Sequence, residues 1–185
     1  MKTIAITGGK GGTGKSTIAT ALACEFAKEM KVLLVDLDVE CPNDHLILDV
    51  EQKKIKDVNQ MIPILNESIC TMCGACKDAC SSHSIMQLKG KKPKFFEKLC
   101  NGCNACFIAC QIKAKAISRG QKKIGEILIG EKYGLTLLSG IMKIGHEEST
   151  PVVRRVKEIA HSKHNNYDLI IFDTSAGTHC NVIVS

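Results

Sequence analysis

The sequence predicts an α/β fold: a parallel sheet flanked by helices, built on a phosphate-binding loop and interrupted by a small α+β insert. Three observations predict it. A glycine-rich stretch, GGKGGTGKST from Gly8 to Thr17, lies between a short apolar run and a helical pattern. Two continuous apolar runs, KVLLVD at 31–36 and DLIIFD at 168–173, each end in an aspartate. Between those runs a cysteine array occurs twice, with an offset of 30 residues.

Taken in order, Ile4 to Thr7 supply the first strand, and Ile18, Ala21, Leu22 and Phe26 recur at helical spacing behind the loop. Gly9, Gly14, Lys15 and Ser16 satisfy the phosphate-loop spacing. The glycines let the backbone curl so that its N–H groups and the helix N-terminus face phosphate oxygens. Gly9, Lys10, Gly11, Gly12, Thr13, Gly14, Lys15, Ser16 and Thr17 are therefore the expected nucleotide cradle. Lys15 is expected to neutralise the β and γ phosphates and Ser16 to ligate Mg²⁺. Cys24, in the helix, reads as a small buried thiol.

The run from Lys31 to Asp36 is apolar throughout, as in a central parallel strand covered on both faces. It delivers Asp36 and Asp38, in VDLDVECPN, to the carboxyl edge where α/β proteins bind ligands. Cys41 in that loop is assigned no function. From Leu46 to Glu67 the pattern is mixed and contains Pro63, so it reads as a connector out of the sheet.

Residues 66–120 hold the repeat. Each copy is C-x2-C-x2-C-x3-C: Cys70, Cys73, Cys76 and Cys80, then Cys100, Cys103, Cys106 and Cys110. Three sulfurs from one tight loop can grasp a 4Fe-4S cubane while the fourth cysteine points at the other cluster. Paired C-x2-C also builds zinc ribbons, but two full quartets at identical spacing favour cubanes. Five lysines between Lys89 and Lys98 form a basic turn that could dock an acidic redox partner.

After Ser118 the α/β pattern returns. Glu126 to Ile129 and Leu135 to Leu138 read as strands, and Gly140 to Gly145 as irregular strand or loop. Val152, Val153, Val156, Ile159 and Ala160 give a helix over Pro151 to Lys163, with Ser149 or Thr150 as cap. The expected organisation is a nucleotide domain in two parts, 1–65 and 121–185, with the insert at 66–120 between them.

Lys10, a second lysine inside the loop in the order KGGTGK, resembles the deviant Walker A motif of the MinD/ParA/Mrp and nitrogenase iron protein superfamily. The resemblance implies an Mg²⁺-dependent ATPase acting as a homodimer, or as a heterodimer with a related ATPase, in which Lys10 reaches the partner's nucleotide. It implies that Asp38 positions the attacking water, that Asp36 supports the Mg²⁺ shell and that Asp173 is the Walker B acid. It makes Gly177 the glycine that senses the γ-phosphate. Cys180, seven residues past Asp173, matches a cluster-ligating cysteine of the nitrogenase iron protein. The cysteine array resembles the bacterial two-cluster ferredoxin domain. By that resemblance one 4Fe-4S cluster takes Cys70, Cys73, Cys76 and Cys110, and the other takes Cys80, Cys100, Cys103 and Cys106. The proline that usually follows the fourth cysteine is replaced by Ser81 and Gln111.

Composition bounds the alternatives. Eleven cysteines in a chain of 185 residues carry spacings wrong for a disulfide scaffold, and with no apolar run of membrane length or signal peptide the expected location is cytoplasmic. The net charge of +6 balances bound nucleotide and two cubanes of charge about −2 each, so nucleic acid is not an expected partner. The chain stops soon after Asp173, so the nucleotide domain reads as shortened. Three functions are in view: an ATPase that gates electron transfer through two clusters, an ATP-dependent carrier that assembles or delivers clusters to an acceptor protein, and a positioning ATPase of the MinD/ParA type.

Overall fold

A computed structural model describes residues 2–146 and 148–176. The elements in chain order are β1 (Lys2–Ile6), α1 (Lys15–Phe26), β2 (Val32–Asp36), α2 (Asp44–Ile47), β3 (Lys53–Leu65), α3 (Ala75–Asp78), β4 (Ile85–Met86), β5 (Lys94–Phe95), α4 (Ala105–Ile112), β6 (Ile117–Lys132), β7 (Leu135–Met142), α5 (Thr150–Ser162) and β8 (Leu169–Asp173). They divide into two compact units. The first comprises the chain up to Val58, Ile124–Ile144 and the residues from Ser149 onward; the second comprises Asn59–Lys123 with Gly145–Glu148.

The main sheet has the order β1-β8-β2-β7-β6-β3. β1, β8, β2 and β7 run parallel, while β6 pairs antiparallel with β7. The sheet is thus mostly parallel, as continuous apolar strands demand. Alternation sorts their side chains onto two faces. Leu33, Val35, Ile170, Phe172 and Leu138 pack with Val152, Val153, Val156 and Ala160 of α5. Val32, Leu34, Leu169, Ile171, Leu135 and Leu137 pack with Ala19 and Ala23 of α1.

Three local expectations change. The stretch read as a connector holds β3, a 13-residue strand at the sheet edge. Pro63 is tolerated there because an edge strand need not pair every N–H. Gly140 to Met142 are the end of β7 rather than irregular chain. In α1 the buried stripe runs through Ala19, Thr20 and Ala23, while Ile18 is exposed. Small side chains let that helix sit close to the sheet.

In the second unit, α3 and α4 each begin after a residue in left-handed conformation, Gly74 (φ 82°) and Asn104 (φ 67°). Its core is Cys76, Cys80, Ile85, Cys106, Cys110, Ala116 and Ile117, with Cys70, Phe95 and Phe107 against them. Among the described residues no helix is long and apolar enough to cross a membrane.

Candidate functional site

Strand register assembles the first site. Ile6, the last residue of β1 before the glycine-rich loop, lies beside Asp173, and Asp173 lies beside Asp36. The loop and both strand-end aspartates therefore share the carboxyl edge of the sheet, where parallel α/β proteins bind ligands. Gly12 (φ 73°) and Gly14 (φ 83°) take left-handed conformations that let the loop turn directly into α1. Gly14 caps that helix with no side-chain bond, and no acid lies in its first turn, so its free N–H groups are available to an anion.

Lys15 is drawn back over the loop, its Nζ donating to the carbonyl of Lys10 at 3.4 Å, and the Thr13 hydroxyl donates to the same oxygen at 3.2 Å. Lys10 itself is exposed. The arrangement leaves one ammonium turned into the loop and the other on the surface.

Asp36 is buried and accepts the backbone N–H groups of Asp38 (3.0 Å), Asn43 (3.1 Å) and Asp44 (3.3 Å), which folds the following loop around its carboxylate. Burial nevertheless raises its carboxyl to about 7, with the charges of Asp173 and Asp38 adding to the shift. Burial also raises Asp173, against the Ser16 hydroxyl and the charge of Lys15, which both pull its carboxyl down. Asp38 is half-buried and raised by burial, with Lys15 close enough to oppose the shift. Ser16, Lys15, Asp36, Asp38 and Asp173 thus belong to one site. Gly177 and Cys180 lie outside the described residues.

Sequence reasoning missed Asp44. It opens α2, is fully buried, and neither of its carboxylate oxygens meets a hydrogen-bond donor among the described residues. Burial, and then the charges of Asp36 and Asp173, push it up to about 9. Oδ1 of Asp173 is likewise buried without a donor. Only its position eight residues after Asp36 hinted at a role; its burial arises from the fold.

The orphaned oxygens test the site for Mg²⁺. Buried carboxylates crowding a serine hydroxyl, with acceptors left over, form a hard oxygen donor set short of positive charge. That fits a divalent cation held largely through water. No three His, Cys, Asp or Glu side chains among the described residues converge closely enough to hold an ion by themselves.

In the second unit, Cys70, Cys73, Cys76 and Cys110 line one small cavity of about 10 Å³, together with Gly74, Gln87 and Pro93. Cys106 is raised by burial, and the neighbouring thiols Cys100, Cys103 and Cys80 add to the shift. Cys76 is pushed up to about 11 by burial, with Cys110 and Cys106 contributing. Burial would also raise Cys80, but hydrogen bonds from Ser84 and Ser82 outweigh it and leave the thiol below its ordinary value. The sulfur of Cys110 accepts the Ala116 N–H at 3.2 Å. Cys110, from the second half of the repeat, thus lines the same cavity as Cys70, Cys73 and Cys76 of the first half.

Fold and first site together define a phosphate-loop nucleotide-binding protein with a mostly parallel sheet. Residues 4–170 match the CobQ/CobB/MinD/ParA nucleotide binding domain, and the chain belongs to that family. Two uncharacterised proteins of Methanocaldococcus jannaschii are 39% and 34% identical over 97% and 99% of this chain, which spans 62% and 64% of their lengths. A septum site-determining protein MinD of Buchnera aphidicola is 39% identical over 36% of this chain and 26% of its own. Among solved structures, the MinD of Pyrococcus horikoshii complexed with Mg-ADP matches at 19% identity and TM-score 0.49, over 99% of this chain and 52% of that one.

Proposed function

We propose that this protein is an Mg²⁺- and ATP-dependent molecular switch of the MinD/ParA kind. The observation that carries the reading is the register that sets the glycine-rich loop, Asp173 and Asp36 side by side at one sheet edge. Bound Mg²⁺ would supply charge neutralisation between the β and γ phosphates. Ser16 would ligate it, Asp36 and Asp173 would orient its water shell, Lys15 would hold phosphate oxygens, and the half-buried carboxylate of Asp38 would orient the attacking water. Lys10, exposed on the loop, is free to act on a second copy's nucleotide.

The family match and the MinD relative favour a positioning role over electron transfer for the nucleotide unit. Lys15→Ala is expected to lose Mg-ATP binding in a titration calorimeter, whereas Lys10→Ala keeps binding but loses turnover that rises with protein concentration. A Lys10→Ala protein with unchanged turnover removes the trans role.

A second reading, that residues 66–120 form a two-cluster ferredoxin insert coupled to the switch, is favoured by one specific observation. Cys70, Cys73 and Cys76 share their cavity with Cys110 from the other repeat, the crossed set that a pair of 4Fe-4S clusters requires. The hydroxyl bonds from Ser82 and Ser84 stabilise anionic sulfur at Cys80. A groove lined by Met72, Met86, Leu88, Lys91, Lys92 and Lys94 adjoins that cavity at Met72 and would receive a redox or cluster-accepting protein. Anaerobic iron and sulfide analysis with EPR tests this reading. Cys110→Ser should disturb the same cluster as Cys70→Ser, and Cys80→Ser the same as Cys100→Ser; zinc or no metal in oxygen-free protein ends it.

A further inference from the structure

We propose that Asp44 is a positioning carboxylate that faces the divalent cation of the Asp36–Asp173 centre and ties α2 to it, so that metal-nucleotide occupancy is transmitted to that helix. The inference rests on the reading of this site as an Mg-nucleotide site and adds a residue and an element that the strand-end motifs do not contain.

The geometry carries it. Asp44 is 0% exposed, both its oxygens lack a donor among the described residues, and Oδ1 of Asp173 is in the same condition. A carboxylate taken out of water with no partner costs several kcal/mol, and crowding it against two more carboxylates adds to the cost. The Asp44 N–H serves Asp36, and the relief open to its side chain inside the cluster is a proton shared with the Asp173 carboxyl, which a divalent cation would replace. A hydrated cation among the three carboxylates satisfies all the orphaned acceptors at once.

The second half of the inference concerns α2. The helix has only four residues and Asp44 is its first. The Leu46 and Ile47 N–H groups both close on the Asn43 carbonyl, and Leu48 N–H closes on that of Asp44. An element of one turn, so closed, moves as a piece when its first residue moves. Its far side presents Leu46 and Ile47, 68% and 49% exposed. Occupancy at the buried end therefore has an apolar, solvent-facing readout one turn away.

The chain contains no tryptophan, so Leu46→Trp in the full chain places a single emitting reporter on the exposed side of α2. ADP is titrated into this protein with Mg²⁺ and with EDTA. Expected is an emission change with Mg-ADP that ADP in EDTA does not produce. Adding Asp44→Asn should abolish that change and weaken Mg²⁺-supported ADP binding by roughly tenfold or more, while leaving affinity in EDTA unchanged. Its melting temperature in EDTA should stay at the parent's, since Asn replaces a carboxyl that is protonated there at neutral pH. A merely structural role would lower that temperature instead. Asp44→Ser serves as the second variant and should behave alike. An emission response and Mg²⁺ dependence unaltered by either substitution, in a protein that binds Mg-ADP, overturn the inference alone; failure of the Leu46→Trp parent to bind Mg-ADP overturns the site reading with it.

Discussion

Asp36 and Asp44 show how a residue's chemistry depends on what the fold does to it. In the sequence both are ordinary acids with carboxyls near 3.8, and the fold raises them to about 7 and about 9 by burial and mutual charge. Between the ordinary value and the raised one, the folded state binds more protons than the unfolded chain. Stability from these groups is therefore greatest below about pH 4 and falls as pH rises through the folded values. The metal-free, nucleotide-free protein is expected to melt progressively lower from pH 5 to pH 8, and saturating Mg-ADP should flatten that slope by favouring the carboxylates. A melting temperature that rises with pH over this window in EDTA contradicts the buried cluster. The positions of Lys15 and Asp173 at the carboxyl edge were legible because each sits in a motif with its own spacing. Asp44 has no motif; what singles it out is burial, which depends on packing between elements.

The legible elements were those whose local pattern and tertiary setting agree. KVLLVD reads as a central strand because both its faces are covered, and every residue from Val32 to Asp36 is buried. β3 was missed for the opposite reason: KKIKDVNQMIPIL lies at an edge, is largely exposed, and shows neither continuous apolarity nor clean alternation. The α1 stripe was legible in part: Leu22 and Phe26 pack against the core, but a helix packed closely on a sheet buries Ala19, Thr20 and Ala23 most fully and leaves Ile18 exposed. Close approach also governs α5. A Cβ on Gly140 would lie 2.7 Å from Val156 Cγ2, 2.8 Å from Val39 Cγ1 and 3.2 Å from Val152 Cγ1. Gly140→Ala is thus an overpacking substitution, expected to cost about 1–3 kcal/mol in urea unfolding with little change in the denaturant slope. A neutral or stabilising result would show that α5 can retreat from the sheet at no cost.

For the whole molecule, chain continuity and spatial organisation part company, and the cysteine repeat marks where. The chain leaves the nucleotide unit along β3 and returns along β6. At the mouth of the excursion the Asn66 N–H donates to the Ala116 carbonyl at 2.7 Å, and the Ser118 hydroxyl reaches the Ile64 carbonyl at 3.4 Å. Ends held that close can be joined by a short turn, since closing a short loop costs little entropy and each doubling of length adds only about 0.6 kcal/mol. Among the described residues, those named at the carboxyl edge of the sheet, Lys15, Ser16, Asp36, Asp38, Asp44 and Asp173, all belong to the first unit. Replacing residues 67–115 with a four-residue glycine-serine turn is therefore expected to keep Mg-ADP affinity within a few-fold of the parent, while removing eight of the eleven cysteines. Should nucleotide binding fail although the shortened protein still melts cooperatively, the excursion is part of the nucleotide site's own scaffold. Retention of binding makes it a module on which the nucleotide unit does not depend for its fold, joined to that unit only where the chain leaves along β3 and returns along β6.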